Sequence, residues 1–191
     1  MKILVLDNYD SFTYNLVYII RELGYGPQMD IFRNDKISLD DVEKYDKILL
    51  SPGPGIPSEA GIMPKLLSRY APHKDILGVC LGHQGIGEAF GGGLINLTEV
   101  VHGVASPVKI QPDTLFTGLP TTFTVGRYHS WIIDETTLPV ELEIIAKTPD
   151  GQIMGVRHKT HKVKGLQFHP ESILTEHGVE MMRNWLKDGV N

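Results

Sequence analysis

Over the first 90 residues, short apolar runs alternate with helix-like stretches, and this alternation constrains the fold more than any other feature. Ile3 to Leu6, Met29 to Arg33, Lys47 to Ser51 and Ile76 to Val79 read as strands. Between the first two, Ser11 is placed to N-cap a helix from Phe12 to Leu23. Leu16, Val17, Ile20 and Leu23 form its apolar face, and Gly24 ends it. Leu39 to Tyr45 predicts a short helix, Met63 to Tyr70 another, and Gly82 to Phe90 a third. Such alternation builds a parallel sheet covered on both faces. After Gly91-Gly92-Gly93 the pattern changes. Strand-like runs at Val104 to Ile110, Thr122 to Val125, Leu142 to Ala146, Ile153 to Arg157 and Gly165 to Phe168 follow one another, separated by turns such as Pro149-Asp150-Gly151. These read as antiparallel strands extending the sheet. An amphipathic helix near Val179 to Leu186 closes the chain, with Val179, Met182 and Leu186 on one face. The expectation is one α/β domain over residues 1–191: an open, mostly parallel, twisted sheet with helices on both faces and an antiparallel extension.

Composition narrows the function classes. Lys and Arg number 18 and Asp and Glu 23, a formal charge of −5. That balance offers no basic patch for nucleic acid and no polybasic membrane anchor. The longest apolar run, Leu16 to Ile20, is far short of a bilayer span, and the start of the chain lacks the apolar run of a signal peptide. The expected location is the cytoplasm. Cys80 is the only cysteine, which excludes an internal disulfide and a Cys-cluster zinc site.

Cys80 stands in Gly78-Val79-Cys80-Leu81-Gly82, between an apolar strand and a helical pattern. This is the form of a nucleophile elbow, with cysteine in place of serine. The turn is tight enough that flanking Cβ atoms would collide, which explains the glycines. The helix that follows aims free N–H groups at the sulfur, and the Leu81 amide can donate to a developing oxyanion. A thiol nucleophile needs a base, and the base needs an orienting group. His169, at the end of a strand-like run, is the best-placed histidine, with Glu171 two residues on and Pro170 fixing the backbone between them. Ser51-Pro52-Gly53-Pro54-Gly55 also follows a strand, so its exposed amides belong on the same sheet edge. Two other histidine features weigh less. His83 lies at i+3 from the cysteine and is expected to point away from it, and His158 with His161 reads as a solvated turn among lysines.

Together these residues resemble the triad-type class I glutamine amidotransferases. The match runs in order through the Pro-Gly-Pro-Gly loop, Gly-Val-Cys-Leu-Gly-His-Gln, Tyr128-His129-Ser130 and Phe-His-Pro-Glu-Ser. The segment Asp7-Asn8-Tyr9-Asp10-Ser11-Phe12-Thr13-Tyr14-Asn15-Leu16, with His102-Gly103 and Gly165-Leu166-Gln167-Phe168, is similar to a narrower group, the small subunits of anthranilate and aminodeoxychorismate synthases. The resemblance implies a flavodoxin-like fold, Cys80 as nucleophile, His169 as acid–base and Glu171 as its orienter. It implies a glutamine site built from Gly53, Pro54, Gly55, Leu81, Gln84, Ser130 and Trp131. Gly55 and Leu81 would supply the oxyanion amides, and Trp131 stands where the family more often carries leucine. It implies no cofactor or metal in this subunit. The implied partner is a chorismate-binding synthase large subunit, with anthranilate the first expectation and aminodeoxychorismate, or both, the alternative. A free-standing cysteine hydrolase on a similar sheet is the more distant alternative.

Overall fold

A computed structural model describes residues 1–188. The strands are β1 (Ile3–Asp7), β2 (Met29–Arg33), β3 (Lys47–Leu50), β4 (Asp75–Val79), β5 (Leu94–Ile110), β6 (Thr122–Ile133), β7 (Leu142–Lys147), β8 (Ile153–His158) and β9 (Val163–Leu166). The helices are α1 (Thr13–Glu22), α2 (Met63–Tyr70), α3 (Leu81–Ala89) and α4 (Gly178–Lys187). The strands form one sheet in the order β2-β1-β3-β4-β9-β8-β7-β5-β6. The first five in that order are parallel, and the remaining four continue antiparallel. No helix among the described residues is long and apolar enough to cross a membrane.

Alternation along the strands sorts the core into two layers. Ile3 and Val5 of β1 pack with Leu16, Val17 and Ile20 of α1 and with Met181, Met182, Trp185 and Leu186 of α4. Leu4 and Leu6 face the other way, onto Met63, Leu66, Leu67 and Tyr70 of α2 and Leu81 and Ile86 of α3. The central strands are therefore buried on both sides, as their near-continuous apolar runs require. At the end where the parallel strands begin, Lys47 is buried and its ammonium sits 2.5 Å from Asp75. It also donates to the carbonyls of Trp185 and Asp188 at 2.9 Å each. A cation on the last carbonyls of α4 satisfies groups that a helix end leaves open, and it ties that helix to β3 and β4.

Several local expectations are corrected. Ser11 does not cap α1: the helix starts at Thr13 with Phe12 at its N-cap and no side-chain cap, Ser11 is exposed, and the Asp10 carboxylate accepts from the Phe12 amide at 2.6 Å in the turn before it. A carboxylate two residues ahead of the amide closes a local turn that the serine hydroxyl does not make. Leu39 to Tyr45 is a 3-10 turn over Asp40–Lys44, held by i to i+3 bonds, with only Val42 buried to anchor it. In α4 the inward stripe is Gly178, Met181, Met182, Trp185 and Leu186, spaced i, i+3, i+4, i+7, i+8, and Val179 lies outside it with 42% exposure. The helix is fixed at its start because a Cβ on Gly178 would sit 1.8 Å from the Pro170 carbonyl oxygen. Finally, β5 and β6 run far beyond Val104 to Ile110 and Thr122 to Val125. Their added length is mostly exposed on β5 and carries two register shifts, with Gly103 at φ +69 inside the second, between His102 and Val104. A bulged, solvent-facing strand shows no clean alternation, which is why its sequence pattern is silent.

Candidate active site

Three neighbouring parallel strands, β3, β4 and β9, deliver their C-terminal ends to one edge of the sheet. Such edges are where open α/β sheets place ligands. The Pro52 to Gly55 loop leaves β3, Cys80 leaves β4, and Gln167 to Glu171 leaves β9.

Cys80 has φ +52 and ψ −100, a left-handed conformation that side chains avoid. Its amide is held by the Leu166 carbonyl at 2.8 Å. The two glycines of the elbow are demanded by backbone. A Cβ on Gly78 would lie 2.5 Å from the carbonyl carbon and oxygen of Gly82, and a Cβ on Gly82 would lie 2.6 Å from the Leu50 oxygen. The strand and helix thus touch backbone to backbone, and the cysteine is held, buried, at the start of α3. Leu81 opens that helix, so its amide is among those with no intrahelical partner.

The β3 loop is pressed against the elbow. A Cβ on Gly53 would meet Asn8 and the Leu81 side chain at 2.6 to 2.7 Å, and Gly55 adopts φ +73. Asn8 fastens this corner. It is buried, its side-chain nitrogen donates to the Ser51 carbonyl at 2.8 Å, and its side-chain oxygen accepts from Asn34 at 3.0 Å. One side chain therefore joins the ends of β1, β2 and β3. This staple is absent from the site derived from sequence; the signal for it was the polar run after β1.

His169 is buried between the rings of Phe12 and Tyr128, with centroids 5.5 and 5.1 Å away. Its Nδ1 lies 2.6 Å from Glu171 Oε1, and the Glu171 side chain is fully buried. Nε2 is buried too and makes no hydrogen bond to any described residue, although the Cys80 sulfur is near enough to act on its charge. Burial is the largest single influence and opposes protonation. The Cys80 sulfur and the Glu171 carboxylate together outweigh it and raise the imidazole to about 10. Because the folded value lies above the unfolded one, this interaction stabilises the fold fully below about pH 6.5 and is lost as pH rises towards 10. Glu171→Gln removes the charge that sustains it. Urea unfolding across that range is expected to show the gap in stability between wild type and Glu171→Gln narrowing as pH rises. A gap that stays constant from pH 6 to 10 would contradict the assignment.

The far end of the sheet curls back to complete the site. Although β6 is an edge strand, the Tyr128 carbonyl lies 3.7 Å from the Cys80 sulfur, and Gln84 of α3 donates to the Trp131 carbonyl at 2.9 Å. Gln84 and the Trp131 backbone are therefore brought together near Cys80, with Ser130 next to Trp131 in β6, and the bond to Trp131 uses its backbone, which tolerates a tryptophan there. The other histidines play structural parts. His83 is wholly buried against Gly165 with no hydrogen-bond partner among the described residues, and burial holds it down to about 3, so it stays neutral. His158 is buried rather than solvated: its ring stacks on His161 at 4.2 Å and packs at a tilt against Phe90 at 4.5 Å, and Nδ1 accepts from two turn amides. A cavity of about 370 Å3 borders Phe12, Tyr128 and Glu171. Two larger hollows of about 730 and 700 Å3 lie around Lys47 and Asp75 and along β5 to β7, and neither includes Cys80 or His169.

A cysteine on a strained strand-to-helix turn, with a histidine–carboxylate pair at the end of the next strand, is the arrangement of an α/β enzyme that works through a thiol. Comparison with known proteins gives the family: the chain belongs to the class I glutamine amidotransferases, whose model matches residues 4–188. It is 47% identical over 194 residues to anthranilate synthase component 2 of Pseudomonas putida, covering 98% of this chain and 97% of that protein. It is 43% identical over 187 residues to the aminodeoxychorismate/anthranilate synthase component 2 of Bacillus subtilis, covering 97% and 95%. It spans about a third (32%) of the bifunctional protein TrpGD of Thermotoga maritima, at 44% identity over 187 residues. Among solved structures, a candidate GMP synthase component from Thermoplasma acidophilum superposes with TM-score 0.86 at 30% identity, covering 97% of this chain and 92% of that one.

Proposed function

We propose that the chain is a single amidotransferase domain serving as the glutaminase component of a chorismate-aminating synthase. The Cys80 sulfur attacks the side-chain carbonyl carbon of glutamine. The amides of Gly55 and Leu81 hold the oxyanion, with Gly53 and Pro54 shaping that loop, and Gln84 with the Ser130–Trp131 backbone holds the amino-acid end. His169 gives its proton to the departing nitrogen as the carbon–nitrogen bond breaks, which leaves a γ-glutamyl thioester and ammonia. It then takes a proton from water, which hydrolyses the thioester to glutamate and frees the thiol. No metal or cofactor enters these steps. The observation that carries the reading is the convergence of Cys80, the His169–Glu171 pair and the Gly53–Gly55 loop on three adjacent strand ends.

A partner must use the ammonia, and the sheet edge beside the site suits one. Tyr14 and Tyr18 on α1 are 60% and 61% exposed, and Ile173 is 99% exposed just past Glu171. Large apolar side chains clustered at a site rim mark an interaction face. The proposed partner is the component 1 synthase, with anthranilate as product; relatives of similar identity named for aminodeoxychorismate make that the alternative. The test mixes the chain with component 1 of either kind and measures glutamate release with and without chorismate. Turnover is expected to be weak alone and to rise with one partner plus chorismate, and the aminated product names the pathway. Equal turnover with and without every partner would sink the coupling.

A further inference from the structure

We propose that Gln167 supports the reactive sulfur by donating a hydrogen bond to it, and that the direction of this bond is imposed from the Trp131 carbonyl through Gln84. The proposal rests on Cys80 being the nucleophile. It concerns a residue outside the triad and outside the glutamine-binding set.

Gln167 is fully buried just beyond β9, with its amide held by the Met154 carbonyl at 2.9 Å. A side-chain amide has an accepting end and a donating end, so its neighbours decide which way it faces. The chain of contacts begins at the Trp131 carbonyl, which only accepts. The group 2.9 Å from it must therefore be the nitrogen of Gln84. That nitrogen also lies 3.3 Å from Gln167, and since it donates, Gln167 must present its oxygen. The Gln167 nitrogen is thereby turned to the Cys80 sulfur at 3.7 Å. The thiol in turn donates to the Tyr128 carbonyl at 3.7 Å. The relay leaves β6 at Trp131 and returns to it at Tyr128.

A second donor locks the starting point. Arg127 Nε lies 3.1 Å from His129 Nε2, and a guanidinium can only donate. His129 must then carry its proton on Nδ1 and give it to the same Trp131 carbonyl, 3.1 Å away. Burial, reinforced by the adjacent Arg127 charge, pushes His129 down to about 3 and keeps it neutral. Both groups must donate, because the Trp131 oxygen can only accept, so neither contact can be reversed. The consequence appears when the sulfur ionises. The Tyr128 carbonyl has nothing to offer an anion, but the Gln167 N–H does, and a bond to a charged acceptor is stronger than one to a neutral thiol. The imidazolium of His169 beside the sulfur supplies the counter-charge.

Because Cys80 is the only cysteine, iodoacetamide uptake measured by mass reports on this sulfur alone. The experiment follows its rate against pH, without glutamine, in wild type, Gln167→Met and Gln84→Met. In Gln167→Met the profile is expected to move to higher pH by about one unit, the effect of one lost hydrogen bond to a charged group. In Gln84→Met it is expected to move in the same direction, since Gln167 is then free to turn its oxygen to the sulfur. A side chain that only contacts substrate would leave the glutamine-free profile in place. Lost packing alone would lower the melting temperature without moving the profile. An unmoved profile in folded Gln167→Met overturns the donor role, and an unmoved profile in Gln84→Met overturns the relay. If Gln167→Met does not fold, the Gln84→Met profile decides. Failure of the nucleophile assignment would show differently, as glutaminase activity retained in Cys80→Ala.

Discussion

Cys80→Ala is expected to yield a folded chain that still binds glutamine and has lost its hydrolysis by about 10^3-fold or more. The size follows from the loss of the covalent step: what remains is oxyanion stabilisation and substrate positioning, which act only on a water attack. The fold should survive. The side chain is small, and the strained turn around it is dictated by the backbone contacts of Gly78 and Gly82 rather than by the sulfur. Glutamate release and calorimetric binding of glutamine, measured on the same preparation, separate the two effects. Activity within a few fold of wild type would remove Cys80 from the chemistry, whatever its geometry.

Gly78→Ala is expected to be at least as damaging, for a structural reason. The new methyl would lie 2.5 Å from two backbone atoms of Gly82 and 2.8 Å from the amide nitrogen of His83. Neither neighbour is a side chain that can swing aside, so β4 and α3 must separate. Overpacking of this kind ordinarily costs about 1–3 kcal/mol, and a clash with fixed backbone belongs at or above the upper end. Because the same two elements hold Cys80 and Gln84, activity should fall further than stability alone explains. Urea unfolding together with glutaminase assay checks this. A variant with wild-type midpoint and rate would show that the elbow is not the tight crossing that the geometry describes.

The parts of the site that were legible in the sequence are those marked by local backbone necessity. The double-glycine elbow around Cys80, the His169-Pro170-Glu171 turn and the Pro52 to Gly55 loop each declare themselves through residues that only a special backbone needs. The common edge of Cys80 and the Pro52 to Gly55 loop follows from the strand–helix alternation, but Gly165 to Phe168 reads as one of the antiparallel strands, and only its parallel placement beside β4 brings His169 to the same edge. What stayed hidden depends on contacts remote in sequence. Gln84 meets Trp131 only because the antiparallel extension curls back over α3, and it meets Gln167 because β9 lies beside β4. The exposed, bulged half of β5 carries no alternation to announce that curl. Asn8 looked like one polar turn residue among several, and its role emerges only when three strand ends meet around it. In α4 the true stripe is set by Gly178 jammed against Pro170, a contact no helical periodicity encodes, and so Val179 was misplaced.

The most direct measurement concerns the covalent intermediate. The chain is mixed with glutamine, quenched in acid within its turnover time, digested, and read by mass spectrometry at the peptide containing Cys80. The expected result is a γ-glutamyl group on that sulfur, formed and lost at rates consistent with glutamate release and absent when Cys80 is replaced by serine. Sustained glutamine hydrolysis, with Cys80 unmodified at every time point and the serine variant equally active, would contradict thiol catalysis at this site.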